Sequence, residues 1–515
     1  MVILLLLLIS INEGKMNNLA LKDKLQRYLD SGFPIIYINS FEEQKAEKII
    51  KEVIKNRKGF EWNAARGLLN FNTKEHQEYN DLEEYLNSIV NSGLEAELDR
   101  KVLVLKDVHF YLNEAKIISL LKYIAIKITQ GLDTSIIIIS PVVVIPKELE
   151  KFITILEPEY PTEKEIANKI QEFVSQNQLP ELDSALLEEM SITLKGLTEY
   201  EVYSILCSAI ADDGELTRED LKLVFSQKQQ MIQKSGILEM IPLKENIDEI
   251  GGLENLKIWL QRKSKVYREI NKAKAFGVDM PKGVLIAGVP GCGKSLSAKV
   301  TASLFEVPLL RLDIGKILGK YVGESEENMR KAISLAEAIS PCVLWVDELE
   351  KAFAGIGSGG EGNEVTVRLF GAFLTWMQEK TSSVFVIATA NDITKLPPEL
   401  MRKGRFDEIF FVGLPNEEER KKIFEIHIKK RRAKDFSEID ISKLISKTKG
   451  YSGADIEGVV KEAIENAFTD GKDKISTEYI LNAISDTHSL SEIMKESLDS
   501  MSKIYEDRKF KNASK

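Results

Sequence analysis

Short apolar runs alternate with amphipathic, charged stretches along most of this chain. Pro34-Ile35-Ile36-Tyr37-Ile38 runs into Phe41-Glu42-Glu43-Gln44-Lys45, after which apolar residues recur at Ala46, Ile49, Ile50 and Val53. The first pattern predicts a buried strand and the second a helix. The same phrasing returns at Val284-Leu285-Ile286-Ala287, followed by a helical stretch from Leu296 to Phe305. Further apolar strands are predicted within Lys101–Phe110, Ser135–Leu149, Cys342–Glu350 and Ser382–Asp392. Strands that alternate with helices predict an α/β fold built on parallel sheets.

With 515 residues the chain exceeds one core, so two or more domains are expected. A net charge of −10 argues against a general nucleic-acid surface. The three cysteines form no CxxC pair and the four histidines no HExxH, which excludes a disulfide framework and the common zinc signatures. Val2 to Ile11 is apolar but too short to span a bilayer, and it lacks a basic flank and a small-residue cleavage site. Because Met16 precedes an ordinary polar sequence, residues 1–18 are expected to reflect a start assigned too early, a membrane or signal segment being the alternative.

The sharpest local signal is GVPGCGKS, Gly288 to Ser295, which fits GxxxxGK(S/T) between a predicted strand and a predicted helix. Gly288, Gly291 and Gly293 free backbone N–H groups to approach phosphate, Lys294 offers a charge to the β/γ oxygens, and Ser295 offers a hydroxyl to Mg²⁺. Pro290, Cys292 and Leu296 complete the loop and the first helical turn. A second strand ends in Asp347-Glu348, where Asp347 suits the Mg²⁺ shell and Glu348 the activation of water. Alone, such a pair would read as a helix cap. A third strand ends at Asn391, at the carboxyl edge where ligands bind, although an isolated asparagine would read as a turn former. Arg402 and Arg405 lie just before the next strand. They form either a solvated face or a pair that reaches a neighbouring subunit's nucleotide, which demands an oligomer.

Together these motifs resemble an AAA ATPase module over about Ile241 to Asp486. The resemblance implies a P-loop core with a helical lid, ATP and Mg²⁺ as ligands, and a hexameric homo-oligomer acting on a protein client. By the same resemblance Ile250 and Gly251 line the adenine pocket, and His427, Gly453 and Ala454 pack on base and ribose. Asn391 is the first sensor, Arg402 and Arg405 are arginine fingers, and Tyr321 and Val322 belong to a pore loop. Two stretches, FLTWMQE and LPPELMRKGRFDEIFF, are similar to a plastid and cyanobacterial subgroup of AAA ATPase-like proteins, with Trp376 and Gln378 in place of acidic residues. The subgroup resemblance implies a role in regulating photosynthesis or inorganic-carbon use. It also implies a cytoplasmic location, or a stromal one for a plastid-encoded chain.

The first half repeats the second without its chemistry. The run PIIYINS stands where GVLIAGVPGCGKS stands, KVLVLKDVHF resembles CVLWVDELE, and LKGLTEYEVYSIL matches TKGYSGADIEGVV with Glu199-Tyr200 in place of Gly453-Ala454. This predicts a degenerate AAA-like domain without nucleotide, an unrelated α/β domain being the alternative. The expected boundaries are 19–225 for that domain, 226–240 for a connector, 241–414 for the ATPase core, 415–486 for its lid and 487–515 for a terminal helix whose KNASK segment frays. Two functions compete: ATP-driven remodelling of a protein client in a ring, and a slow ATP-dependent switch or scaffold. A DNA-acting role lacks any evident basic domain.

Overall fold

The computed structural model describes residues 21–54, 57–211, 213–234, 236–243, 245–317, 324–353, 362–402 and 404–515. Tyr321, Val322, residues 1–18 and most of the glycine-rich loop at 355–362 lie outside them. The chain forms two compact units, one ending at Pro161 but including Thr198–Ser204, the other comprising Thr162–Leu197 and Ile205–Lys515.

The first unit is a six-stranded sheet of β1 (Ile35–Asn39), β2 (Lys58–Asn63), β3 (Gly67–Asn70), β4 (Lys101–Lys106), β5 (Thr134–Ser140) and β6 (Ile153–Leu156), in the order β3-β2-β4-β5-β1-β6. All pairs are parallel except the β2–β3 hairpin. Successive side chains of a strand point to opposite faces. Ile35, Tyr37, Leu103, Leu105, Ile136 and Ile138 therefore enter one core, and Ile36, Ile38, Val102, Val104, Ile137 and Ile139 the other. Burial of both faces explains why these strands read as unbroken apolar runs.

The second unit holds β7 (Leu238–Ile241), β8 (Gly283–Gly288), β9 (Leu309–Leu312), β10 (Cys342–Val346), β11 (Val384–Ala390), β12 (Glu408–Val412) and β13 (Lys511–Asn512), in the order β13-β12-β8-β11-β10-β9-β7. Val284, Ile286, Val343, Trp345, Phe385, Ile387, Phe410 and Val412 form one side of its core. Its lid is a separate helical cluster around Phe424, Leu444, Ile456, Val460 and Ile480. Helix Asp220–Lys234 runs through the expected connector and buries Val224, Lys228 and Ile232. Trp376 donates its indole N–H to Glu337, 2.8 Å away, so this departure from the family pattern is tied down within the unit.

The two sheets share one topology. The order β6-β1-β5-β4-β2 repeats as β12-β8-β11-β10-β9. Asp107 and Glu348, which follow β4 and β10, both adopt left-handed backbone, with φ of 53° and 50°. Matching these two residues aligns Leu103 with Leu344. The strand registers then align Ile136 with Val386, Ile35 with Gly283 and Phe60 with Leu310. The first half is thus a degenerate copy of the second.

The segment KNASK does not fray. Lys511 and Asn512 pair with Phe410 and Phe411, and the fully buried Ala513 donates its N–H to the Phe411 carbonyl at 2.8 Å. The Ala513 carbonyl accepts from Asn255 and Leu256, at 2.9 and 3.2 Å, satisfying two orphan donors at the start of helix Glu254–Arg268. Its place at the chain end predicted fraying, but the sheet edge beside β12 supplies the partners. Deleting residues 511–515 should remove about 1–3 kcal/mol of stability. Thermal unfolding of the full chain and the deletion, compared directly, measures this.

Candidate nucleotide site

The loop after β8 bends where side chains would collide. Gly288 has φ 142°, and a Cβ there would lie 2.1 Å from the Val412 carbonyl oxygen. Gly291 has φ 73°, and its Cβ would lie 2.9 Å from that of Ala454. These approaches bring the loop under the lid, where the Ala454 N–H donates to the Gly291 carbonyl at 2.9 Å. Ser452 caps helix Gly453–Thr469 in a capping box with Asp455, so the helix starts at the loop.

Lys294 is buried in the first turn of helix Lys294–Phe305. Its ammonium donates to the carbonyls of Gly288 and Val289, each at 2.8 Å. Burial lowers its pKa to about 8, against the pull of Cys292, Glu350, Asp347 and Glu348. Burial pushes the neighbouring Cys292 thiol up to about 11, so it stays protonated at neutral pH.

The acidic pair is held from the next strand. Thr389 donates its hydroxyl to Asp347 at 2.6 Å and accepts the Glu348 N–H at 3.1 Å. Arg311, on β9, lies 3.5 Å from the other Asp347 oxygen. The Glu348 carboxylate pairs with Lys351. The backbone N–H of Asn391 donates to Glu350 at 3.0 Å.

The lid closes the other side. Gly251 leaves no room for a side chain, since its Cβ would lie 2.4 Å from Ile423. Glu419 accepts the Leu253 N–H at 2.9 Å, fixing the segment that carries Ile250 and Gly251. Burial lowers the pKa of His427 against the pull of Glu457, with Arg431 adding to the lowering. An Arg431 nitrogen 3.3 Å from Nδ1 can only donate, which leaves the proton on Nε2.

These elements enclose a cavity of about 440 Å³. Of the sequence-predicted residues, Ile250, Gly251, Pro290 to Leu296, Asp347, Glu348, Asn391, His427, Gly453 and Ala454 line it. Gly288 shapes the loop from outside the lining, accepting from Lys294. Arg402 is exposed and Arg405 donates to the Glu399 carbonyl, so neither joins this cavity. Glu249, Thr389, Ala390, Ile423 and Glu457 also line it, and no motif had marked them. The volume suits a nucleotide, and the glycine loop leaves the close backbone approach that phosphates require. Among the described residues no group of three or more His, Cys, Asp and Glu could hold a metal. Ser295 and Asp347 would give a Mg²⁺ two protein oxygens, leaving the rest of its shell to water and phosphate.

The equivalent place in the first unit is filled by the chain itself. The alignment puts Lys106 at the position of Asp347 and Glu61 at that of Arg311, while helix Glu43–Val53 starts where helix Lys294–Phe305 starts. The charges are exchanged. Lys106 lies 3.5 Å from Glu61 and 3.4 Å from Glu43, and it also pairs with Glu47. Burial opposes the Lys106 charge, but these carboxylates prevail and raise its pKa above the ordinary lysine value. In place of a loop carbonyl, the Glu42 side chain accepts the Tyr200 N–H at 2.9 Å at the start of helix Glu199–Ala209. Carboxylates thus stand at the start of the helix that corresponds to Lys294–Phe305.

Residues 284–414 match the family model for AAA, the ATPase family associated with various cellular activities, and residues 438–482 match the AAA+ lid domain. Residues 21–158 and 164–235 match the N-terminal and second domains of SpoVK-like AAA ATPases. The chain is 39% identical to the AAA domain-containing protein ycf46 of Guillardia theta over 88% of this chain and 89% of that one. It is 37% identical to ycf46 of Pyropia yezoensis over 95% and 98%, respectively. A proteasome-activating nucleotidase of Saccharolobus islandicus is 31% identical over 53% of this chain and 72% of its own length. With its P-loop, lid and degenerate N-terminal copy, this chain belongs to the AAA ATPase family, in the group of AAA domain-containing proteins named ycf46.

Proposed function

We propose that this protein hydrolyses ATP as a homo-oligomeric ring, a hexamer by family resemblance, and couples turnover to remodelling of a protein client in the cytoplasm or plastid stroma. The observation that carries this reading is the charge balance of the cavity. Among the described lining residues Lys294 is the sole lysine or arginine, whereas Arg402 and Arg405 lie outside. A triphosphate bears more negative charge than one lysine and a bound Mg²⁺ would offset, so an arginine from a neighbouring copy completes the site. The similarity to a proteasome-activating nucleotidase supports a protein client.

Each residue then has a task. The Gly288–Gly293 loop and the helix start at Lys294 receive the phosphates with backbone N–H groups. Lys294 leaves the two loop carbonyls for phosphate oxygens. Ser295 and Asp347 would hold a Mg²⁺, which would supply charge neutralisation at the transferred phosphoryl group. Glu348 accepts a proton from the attacking water, and Asn391 orients that water. Ile250, Gly251, His427, Gly453 and Ala454 grip base and ribose. Tyr321 and Val322 contact the client.

Glu348→Gln should bind ATP with little change in Kd and lose about 10²–10³-fold in kcat, read by steady-state hydrolysis beside nucleotide titration. Brisk turnover by that variant would remove Glu348 from its role. Lys294→Ala and Arg402→Ala or Arg405→Ala should each be inactive alone and regain activity on mixing, because mixed rings contain intact shared sites. No recovery at any ratio would overturn the ring reading. ATP affinity should also fall with rising pH above about 8, where free Lys294 loses its proton. Phosphate raises the lysine pKa in the complex, so binding there takes up a proton and weakens by up to about tenfold per pH unit. Calorimetry in buffers of different ionisation enthalpy measures that uptake.

A further inference from the structure

Asn391 stands one residue beyond the last residue of β11, where Ala390 pairs with Ala287. Its N–H lies past the ladder and takes its acceptor from Glu350, two residues after Glu348. Glu350 is only 7% exposed. One carboxylate oxygen accepts from Asn391 at 3.0 Å, and the other is buried without a partner among the described residues. The acidic loop and the end of β11 are therefore joined twice, by Thr389 to Asp347 and Glu348, and by Glu350 to Asn391.

A buried carboxylate with one oxygen unsatisfied costs stability, and a neutral acceptor would serve the N–H alone at lower cost. What the carboxylate supplies is reach: its acceptor oxygen extends from the acidic loop to the N–H of Asn391, a group whose placement must hold to a fraction of an ångström. Resting on the reading that Asn391 orients the attacking water, we propose that Glu350 is a positioning residue: its reach from the acidic loop fixes Asn391 in register with Glu348.

Two substitutions separate reach from charge. Glu350→Gln keeps the length and an acceptor oxygen but removes the charge. Glu350→Asp keeps the charge but is one methylene short. Expected are a kcat within about fivefold of the parent for Glu350→Gln and a fall of about 10–100-fold for Glu350→Asp, with the Kd for ATP and the melting temperature changed little in both. In an Asn391→Ala background, Glu350→Asp should slow turnover no further. The inference is overturned if Glu350→Asp matches or exceeds Glu350→Gln, if both turn over like the parent, or if nucleotide affinity falls in step with kcat. A parent protein that hydrolyses no ATP would sink the underlying reading instead, and this inference with it.

Discussion

The Ala454 N–H reaches the Gly291 carbonyl only because residue 291 carries no side chain, and the rest of the site is arranged around that approach. The loop must bend left-handedly at Gly288 and Gly291 to present its backbone to phosphate, and the same bends let the lid helix start against it. Glu419 then fastens the lid to the segment holding Ile250 and Gly251. The glycine loop, the Ile250–Gly251 segment and the lid therefore form one connected unit, in which a methyl group at either loop glycine would force apart pieces of chain remote in sequence.

Comparison of the two sheets separates what the fold requires from what chemistry requires. Strand order, register and the left-handed residue after the central strand are common to both. The first unit has three residues, Ser40 to Glu42, where the second has six, Gly288 to Gly293. Without the extra residues there is no phosphate cradle. The exchange of charge between Lys106–Glu61 and Asp347–Arg311 then gives the first unit a self-contained cluster of ion pairs. A buried ammonium among carboxylates is tolerable only when it is paired, and here Lys106 and Lys74 offset Glu47 and Glu61, while the third carboxylate, Glu43, is exposed to solvent.

Much of this was legible in the sequence because it is local. Strands buried on both faces leave unbroken apolar runs, and a phosphate loop must sit between a strand and a helix, so Val284 to Phe305 announced itself. What escaped was long-range. Thr389 and Glu350 matter through partners 41 or 42 residues away, and nothing within their own stretches marked them out. Lys106 was visible as the lack of an acidic pair, but its reversed charge became meaningful only once strand register placed it at Asp347. The KNASK segment misled because a chain end speaks for fraying when no partner is known, whereas the β12 edge supplies one.

The ion cluster in the first unit has a consequence for mass action. A ligand that comes and goes stabilises its host by an amount set by its concentration relative to Kd. The ammonium and carboxylates around Lys106 are tethered to the backbone and have no bulk concentration. The stability of the first unit should therefore not depend on the concentration of any ligand that those tethered charges replace.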